Sequence, residues 1–211
     1  MIARRELFPE APQDDRWALA AGLAFLEGAA TWGISGLRGW FQDNLVTPGY
    51  MLPPASVHEP PIGILTLWSR GAGTSITTAN PAALLAKTRG QVLAGLRGFL
   101  QIPADDRFVK AALFSGRVQR ASMRPSAHEA AHGPSSSSRW VPRPDPTAPL
   151  HAVVLSLFAI DVLTHRESWE RLLCVCDACG RVTFEEAEDR RRACPTHGPK
   201  PSALMRKVTP P

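Results

Sequence analysis

Cys176-x2-Cys179 is followed, fourteen residues on, by Cys194-x2-His197. These are two pairs of side chains that can bind a divalent ion. Zinc favours four soft or borderline ligands in a tetrahedron, and three thiolates with one imidazole suit it. A two-residue gap lets the backbone fold into a tight knuckle, so that both members of a pair reach one ion. Gly180 stands directly after Cys179, where such a turn needs a positive φ. Pro195 and Gly198 bracket the second pair. The run Arg181–Phe184 between them reads as the returning strand of a short hairpin. So small a segment has too few apolar residues to fold alone, and a structural Zn2+ supplies the missing stability. All four cysteines lie near the C-terminus. A disulfide framework would spread them across the fold, so the clustering points to metal and to a reducing compartment. Cys174, in "LLCVC", is expected to be a buried apolar thiol.

On these residues, "CDACG" and "CPTHG" with the strand between, the stretch 171–199 resembles a zinc ribbon or treble-clef zinc finger. An apolar helix, then C-x2-C-G-x-x-x-F, then an arginine run before the third ligand is also loosely similar to the zinc-finger end of bacterial CGNR-type regulators. Their CGNR tetrapeptide is missing here, so their function is not carried over. The resemblance implies that Cys176, Cys179, Cys194 and His197 are the zinc ligands.

A second metal-binding spelling, His128-Glu129-x-x-His132, lies upstream. Zinc peptidases place this pattern on a stable helix, with the glutamate over a metal-bound water and a third ligand elsewhere. Here Pro125 and the Gly133-Pro134 pair leave room for about two turns, a marginal length for an isolated helix. No second motif histidine follows, and nothing marks His151 or Glu167 as a distant third ligand. The segment reads as a loop whose histidines are spectators. The chain also lacks a Gly-x-Ser-x-Gly elbow, a phosphate-binding glycine loop with lysine and a dinucleotide fingerprint. No catalytic residue is assigned. His58, Glu59 and His165 read as surface polar residues.

Arg190, Arg191 and Arg192 precede Cys194. Arg181 lies by the first knuckle, and Lys200, Arg206 and Lys207 follow the second. Such groups can bind phosphates. Glu185, Glu186, Glu188 and Asp189 stand directly before the arginines, so a salt-bridged surface is the competing reading. The formal net charge is +5 and the sequence pI about 9.4, compatible with an acidic partner and with an ordinary soluble protein. The expected function is a non-catalytic, zinc-binding regulatory protein contacting nucleic acid or the transcription machinery. Two alternatives stand beside it. One is a protein–protein interaction module with a purely structural ribbon, anchored by some of the six tryptophans. The other is a zinc hydrolase using the His128–His132 segment.

The elements that must position these groups give an α+β fold: an N-terminal mixed helix/strand domain followed by a small C-terminal zinc ribbon. Residues 1–123 form the first domain. Within it a helix is expected from Arg16 to about Leu26, capped by Asp14 or Asp15, and roughly helical spacing continues through Trp32, Ile34, Leu37, Trp40 and Phe41. "IGILTLWS" and "TSITT" read as strands. Asn80-Pro81 starts a helix running to about Leu100, with Leu84, Leu85, Val92, Leu96 and Phe99 inward. The segment from Arg107 to Ser122 suits either a helix or a strand pair turning at Ser115-Gly116. Residues 124–149, rich in Pro and Ser with only Trp140 and Val141 large and apolar, read as a linker or long surface loop. Residues 150–170 hold an apolar helix packing on the first domain, with Thr147 as its cap and "HRESWERLL" as a short connection out of it. Residues 171–199 are the ribbon and 200–211 a flexible basic tail.

No stretch reads as a membrane span. "LHAVVLSLFAIDVL" is short and carries His151 and Asp161. "WALAAGLAFLEGAATWGISGL" follows Arg4, Arg5 and Arg16 as a signal peptide would. However, Glu6, Glu10, Asp14 and Asp15 are interspersed, so a buried helix of a cytoplasmic protein is expected instead.

Overall fold

The computed structural model describes residues 16–46, 81–101, 104–122, 138–143 and 148–184. In chain order these form α1 (Trp17–Gly28), α2 (Ile34–Phe41, continued by a π-helical turn at Gln42–Val46), α3 (Pro81–Phe99), α4 (Arg107–Phe114), β1 (Val118–Ser122), β2 (Ser138–Pro142), α5 (Leu150–Leu172), β3 (Leu173–Val175) and β4 (Val182–Phe184). The strands make two separate antiparallel hairpins, β1–β2 and β3–β4. The architecture is mixed α+β. No helix among the described residues is long and apolar enough to cross a membrane.

Helix α5 is the element around which the rest packs. Its apolar run leaves Val154, Leu157, Phe158 and Ala159 fully buried. Helices α1, α3 and α4 all lie against it. The α1 crossing is close because Gly22 carries no side chain: a Cβ there would stand 2.7 Å from the Phe158 ring. Helix α3 turns Leu84, Leu85, Val92, Leu96 and Phe99 inward, each at most 5% exposed, as its spacing predicts. The indole of Trp40 on α2 donates to the Ala21 carbonyl at 2.9 Å, fixing α2 to α1.

α5 bends at His165 (φ −130°, ψ 42°). One residue earlier the Thr164 hydroxyl donates to the Ile160 carbonyl at 2.9 Å. Such back-bonding competes with the helical ladder and often bends helices. Beyond the bend the helix continues to Leu172, so "HRESWERLL" is helical rather than a connection. The bend delivers Trp169 into the core at 0% exposure. There its ring meets Phe99, Phe158 and Phe184 edge-on, with centroids 5.7, 5.8 and 5.4 Å away, and Phe108 at 6.5 Å. Edge-to-face contacts of this kind add about 0.5–1.5 kcal/mol each beyond area burial.

The Trp169 indole also donates to Asp161 Oδ2 at 2.6 Å. Asp161 is 2% exposed, and a buried carboxylate needs partners. Arg16 provides them, with Nε 3.2 Å from Oδ1 and Nη2 2.6 Å from Oδ2. His165 Nδ1 lies 3.4 Å from Oδ1. His165, expected at the surface, therefore belongs to a largely buried polar cluster, brought there by its i,i+4 spacing from Asp161 on α5.

Two further differences concern the middle of the chain. Arg107–Ser122 is neither all helix nor a strand pair: it is α4, a turn at Ser115–Gly116, then β1. The segment expected as linker or long loop contributes β2, paired with β1 from Val118↔Pro142 to Ser122↔Ser138. Its two large apolar residues explain this, since Val141 is 3% exposed and Trp140 half-buried against the core. α1 is capped by Arg16 and α5 by Pro149, neither with a side-chain cap bond, in place of the expected Asp14 or Asp15 and Thr147; the strands expected at "IGILTLWS" and "TSITT" and the cap at Asn80 lie outside the described residues.

Candidate metal centre

The chain passes from α5 into β3 with no intervening loop. Leu173, Cys174 and Val175 are all buried, so β3, though one strand of a two-stranded sheet, lies within the core. Cys174 sits in it as an 8% exposed thiol. β4 returns antiparallel, with Leu173↔Phe184 and Val175↔Val182 as the ends of the register. The loop between the strands, Cys176–Arg181, carries Cys176 and Cys179.

The Cys176 N–H donates to the Arg181 carbonyl and the Gly180 N–H to the Cys176 carbonyl, both at 2.8 Å. The loop is thereby folded back on itself over Cys176-x2-Cys179. Gly180 has φ +68°, the left-handed region that an L side chain occupies only at a cost. It also faces α3 closely, since a Cβ would lie 2.8 Å from Leu93 Cδ1. Cys176 is half-buried and Cys179 exposed. The turn expected from "CDACG" is present, with the expected hairpin behind it.

The knuckle is clamped to α3 by residues that the motif does not contain. Arg89 donates through Nε to the Leu26 carbonyl and through Nη2 to the Cys179 and Gly180 carbonyls, each at 3.2 Å. Arg97 Nη2 donates to the Cys176 carbonyl at 3.3 Å, and its Nε lies 3.8 Å from Asp177 Oδ1. That last pair is largely exposed, and exposed pairs contribute little. Arg89, Leu93 and Arg97 are spaced by four on one helix, so one face of α3 presents cation, apolar residue, cation to the loop. Their i, i+4, i+8 spacing was the available signal.

Arg181 is exposed. Cys194, His197, Arg190, Arg191, Arg192, Lys200 and the His128–His132 segment lie outside the described residues. Of the expected residues, the structure thus brings Cys176, Cys179 and Arg181 together. No group of three or more His, Cys, Asp or Glu side chains that could hold a metal ion occurs among the described residues. His151 is half-buried in the first turn of α5, and Glu167 is exposed further along it. Comparison with protein-family models, curated proteins and solved structures finds no match for this chain.

Proposed function

We propose that this chain is a non-catalytic, zinc-binding regulatory protein. In it Cys176, Cys179, Cys194 and His197 hold one structural Zn2+ in a ribbon, and the chain contacts nucleic acid or the transcription machinery. The observation that supports this reading best is the Cys176–Arg181 turn. It has the doubled-back hydrogen bonding and the positive φ after the second cysteine that a C-x2-C ligand pair needs. A zinc ion with four protein ligands cross-links the segment and leaves no open coordination position. Arg181, Arg190, Arg191, Arg192 and Lys200 are the proposed phosphate contacts. Thiolate ligands need a reducing compartment, so the proposed location is the cytoplasm.

The alternative, an interaction module with a purely structural ribbon, is favoured by the Arg89–Leu93–Arg97 clamp, which turns one side of the knuckle inward against α3. Salt separates the two readings: phosphate binding falls steeply as salt rises, and an apolar protein interface does not.

Metal analysis of the full chain beside Cys176→Ser and His132→Ala tests the zinc assignment. One zinc per chain, lost in Cys176→Ser and kept in His132→Ala, is expected. Two zincs, or one lost with His132, would overturn it in favour of a hydrolase-type site.

A further inference from the structure

The strands β1 and β2, each with its flanking arginine, are "RVQRAS" (117–122) and "SRWVPR" (138–143). They contain four arginines and no carboxylate. Pairing sets them at two heights along the ribbon, and strand alternation puts Arg120, beside Trp140, on the face opposite Arg117, Arg139 and Arg143. Arg117 and Arg143 lie together at one end, where the Arg143 N–H donates to the Arg117 carbonyl at 2.7 Å. Arg120 pairs with Trp140 and Ala121 with Arg139 further along. At about 3.3 Å per residue, the groups stand about 10 Å apart along the ribbon. The positive field also reaches the helix behind: His151 is held below the ordinary histidine range first by burial and then by the charges of Arg117 and Lys87.

Beside the second group is a cleft of about 210 Å³. Its lining includes Trp17, Trp140, Arg120, Arg139, and Ile160 and Leu163 of α5. The Arg120 guanidinium lies 5.5 Å from the centre of the Trp140 ring. Two tryptophans, two arginines and two large aliphatic residues thus line one cleft. Indole and guanidinium planes are the groups on which unpaired bases stack, while arginine takes the phosphates.

We propose that the β1–β2 ribbon and its tryptophan cleft bind single-stranded nucleic acid, with one base in the cleft and the adjoining phosphates on Arg120 and Arg139, which line it. This rests on the nucleic-acid part of the function proposed above and adds a base-binding contact on the ribbon to the phosphate contacts named there. A duplex keeps its bases stacked inward and cannot fill the cleft. An acidic peptide satisfies the arginines and has no use for the indoles. A mononucleotide shares the chemistry but brings only one phosphate to the two arginines, so an oligonucleotide binds more tightly.

The test is fluorescence anisotropy of a labelled oligothymidylate of about 12 nucleotides, within the usual site-size range, titrated with the full chain across a salt series. The paired variant Arg120→Gln/Arg139→Gln should weaken binding about tenfold or more. It should also flatten the slope of log affinity against log salt by about 1. Trp140→Leu should weaken binding at least about fivefold with the slope unchanged. Circular dichroism and urea midpoints of both variants confirm folding. Arg190→Gln/Arg191→Gln/Arg192→Gln should weaken binding and flatten the salt slope as well, while the further loss on Trp140→Leu persists in that background. Loss in that triple variant with none in the ribbon variants overturns the inference and leaves the proposed function standing. Equal displacement by polyglutamate, or tighter binding of duplex, overturns the single-strand assignment. No binding by the parent chain overturns this inference and the nucleic-acid part of the proposed function together, while the zinc assignment answers to its own metal analysis.

Discussion

The two hairpins of this molecule are held by different means. β1–β2 has five paired positions, and its outward residues Gln119, Arg120 and Ser138 are exposed. β3–β4 has only three pairs, yet every residue of β3 is buried. The longer ladder belongs to the more exposed hairpin, so ladder length does not decide which is anchored. The short one is anchored from both sides. Phe184 packs on Trp169, and Arg16 lies over the other end of that contact, 4.3 Å from the Phe184 centroid. On the far side, Arg89 and Arg97 bind the loop carbonyls. A strand pair too short to be stable alone is thus made part of the helical core. The longer pair buries Val118 on one face and Val141 on the other and leaves polar residues such as Gln119 and Arg120 exposed.

The largest contrast should come from removing the aromatic anchor. Trp169→Ala is expected to cost about 3–5 kcal/mol in urea unfolding, because it empties the ring position shared by Phe99, Phe158 and Phe184 and deprives Asp161 of a donor. Trp140→Ala, half-buried on the other hairpin, should cost well under that. Equal losses would erase the distinction. Gly180→Ala comes next, at about 1–3 kcal/mol, since it adds a Cβ at φ +68° into contact with Leu93. A Gly116→Ala change shares the positive φ but meets only the Arg143 side chain, at 3.5 Å, so it should cost less. Arg89→Met keeps the stem and removes three charge-assisted donors. About 1–2 kcal/mol is expected after discounting for partial exposure, while Arg120→Met on the ribbon should stay within about 0.5 kcal/mol.

The smallest effect is a pH dependence from His151. Its folded pKa is lowered, so the fold binds its proton less readily than the unfolded chain, whose value is about 6.5. Stability from this group is therefore complete above about pH 6.5 and is lost as pH falls from there through the folded value. His151→Gln should remove that part of the acid-side decline in thermal midpoints; an unchanged profile would contradict it.

What could be read from the sequence follows from how local each feature is. The inward face of α3 repeats within one helix, so Leu84 through Phe99 declare it. The Cys176–Gly180 turn is five residues long and carries its own signature. The Trp169–Asp161 cluster was missed because its members come from Arg16, Phe99, Phe108, Phe158 and Phe184, which no window contains together. A bend at His165, without proline, was needed to join them. β2 was hidden because Pro and Ser neighbours outweighed Trp140 and Val141, and its partner β1 lies across a long connection. The α3 clamp was legible as spacing but not as purpose, since nothing in Arg89-x3-Leu93-x3-Arg97 names the loop it holds.

The central claim is that this short, clamped hairpin carries half of a closed zinc site. Cobalt substitution addresses the ligand set itself. The full chain, stripped of metal and titrated with Co2+, should develop intense visible bands of tetrahedral coordination together with thiolate-to-cobalt charge transfer, saturating at one equivalent. Zn2+ should then displace it. Cys194→Ser or His197→Ala should weaken the site and alter the bands, whereas Cys174→Ser should leave them unchanged. Weak, octahedral-type absorption that is indifferent to Cys176, Cys179 and Cys194 would contradict the account.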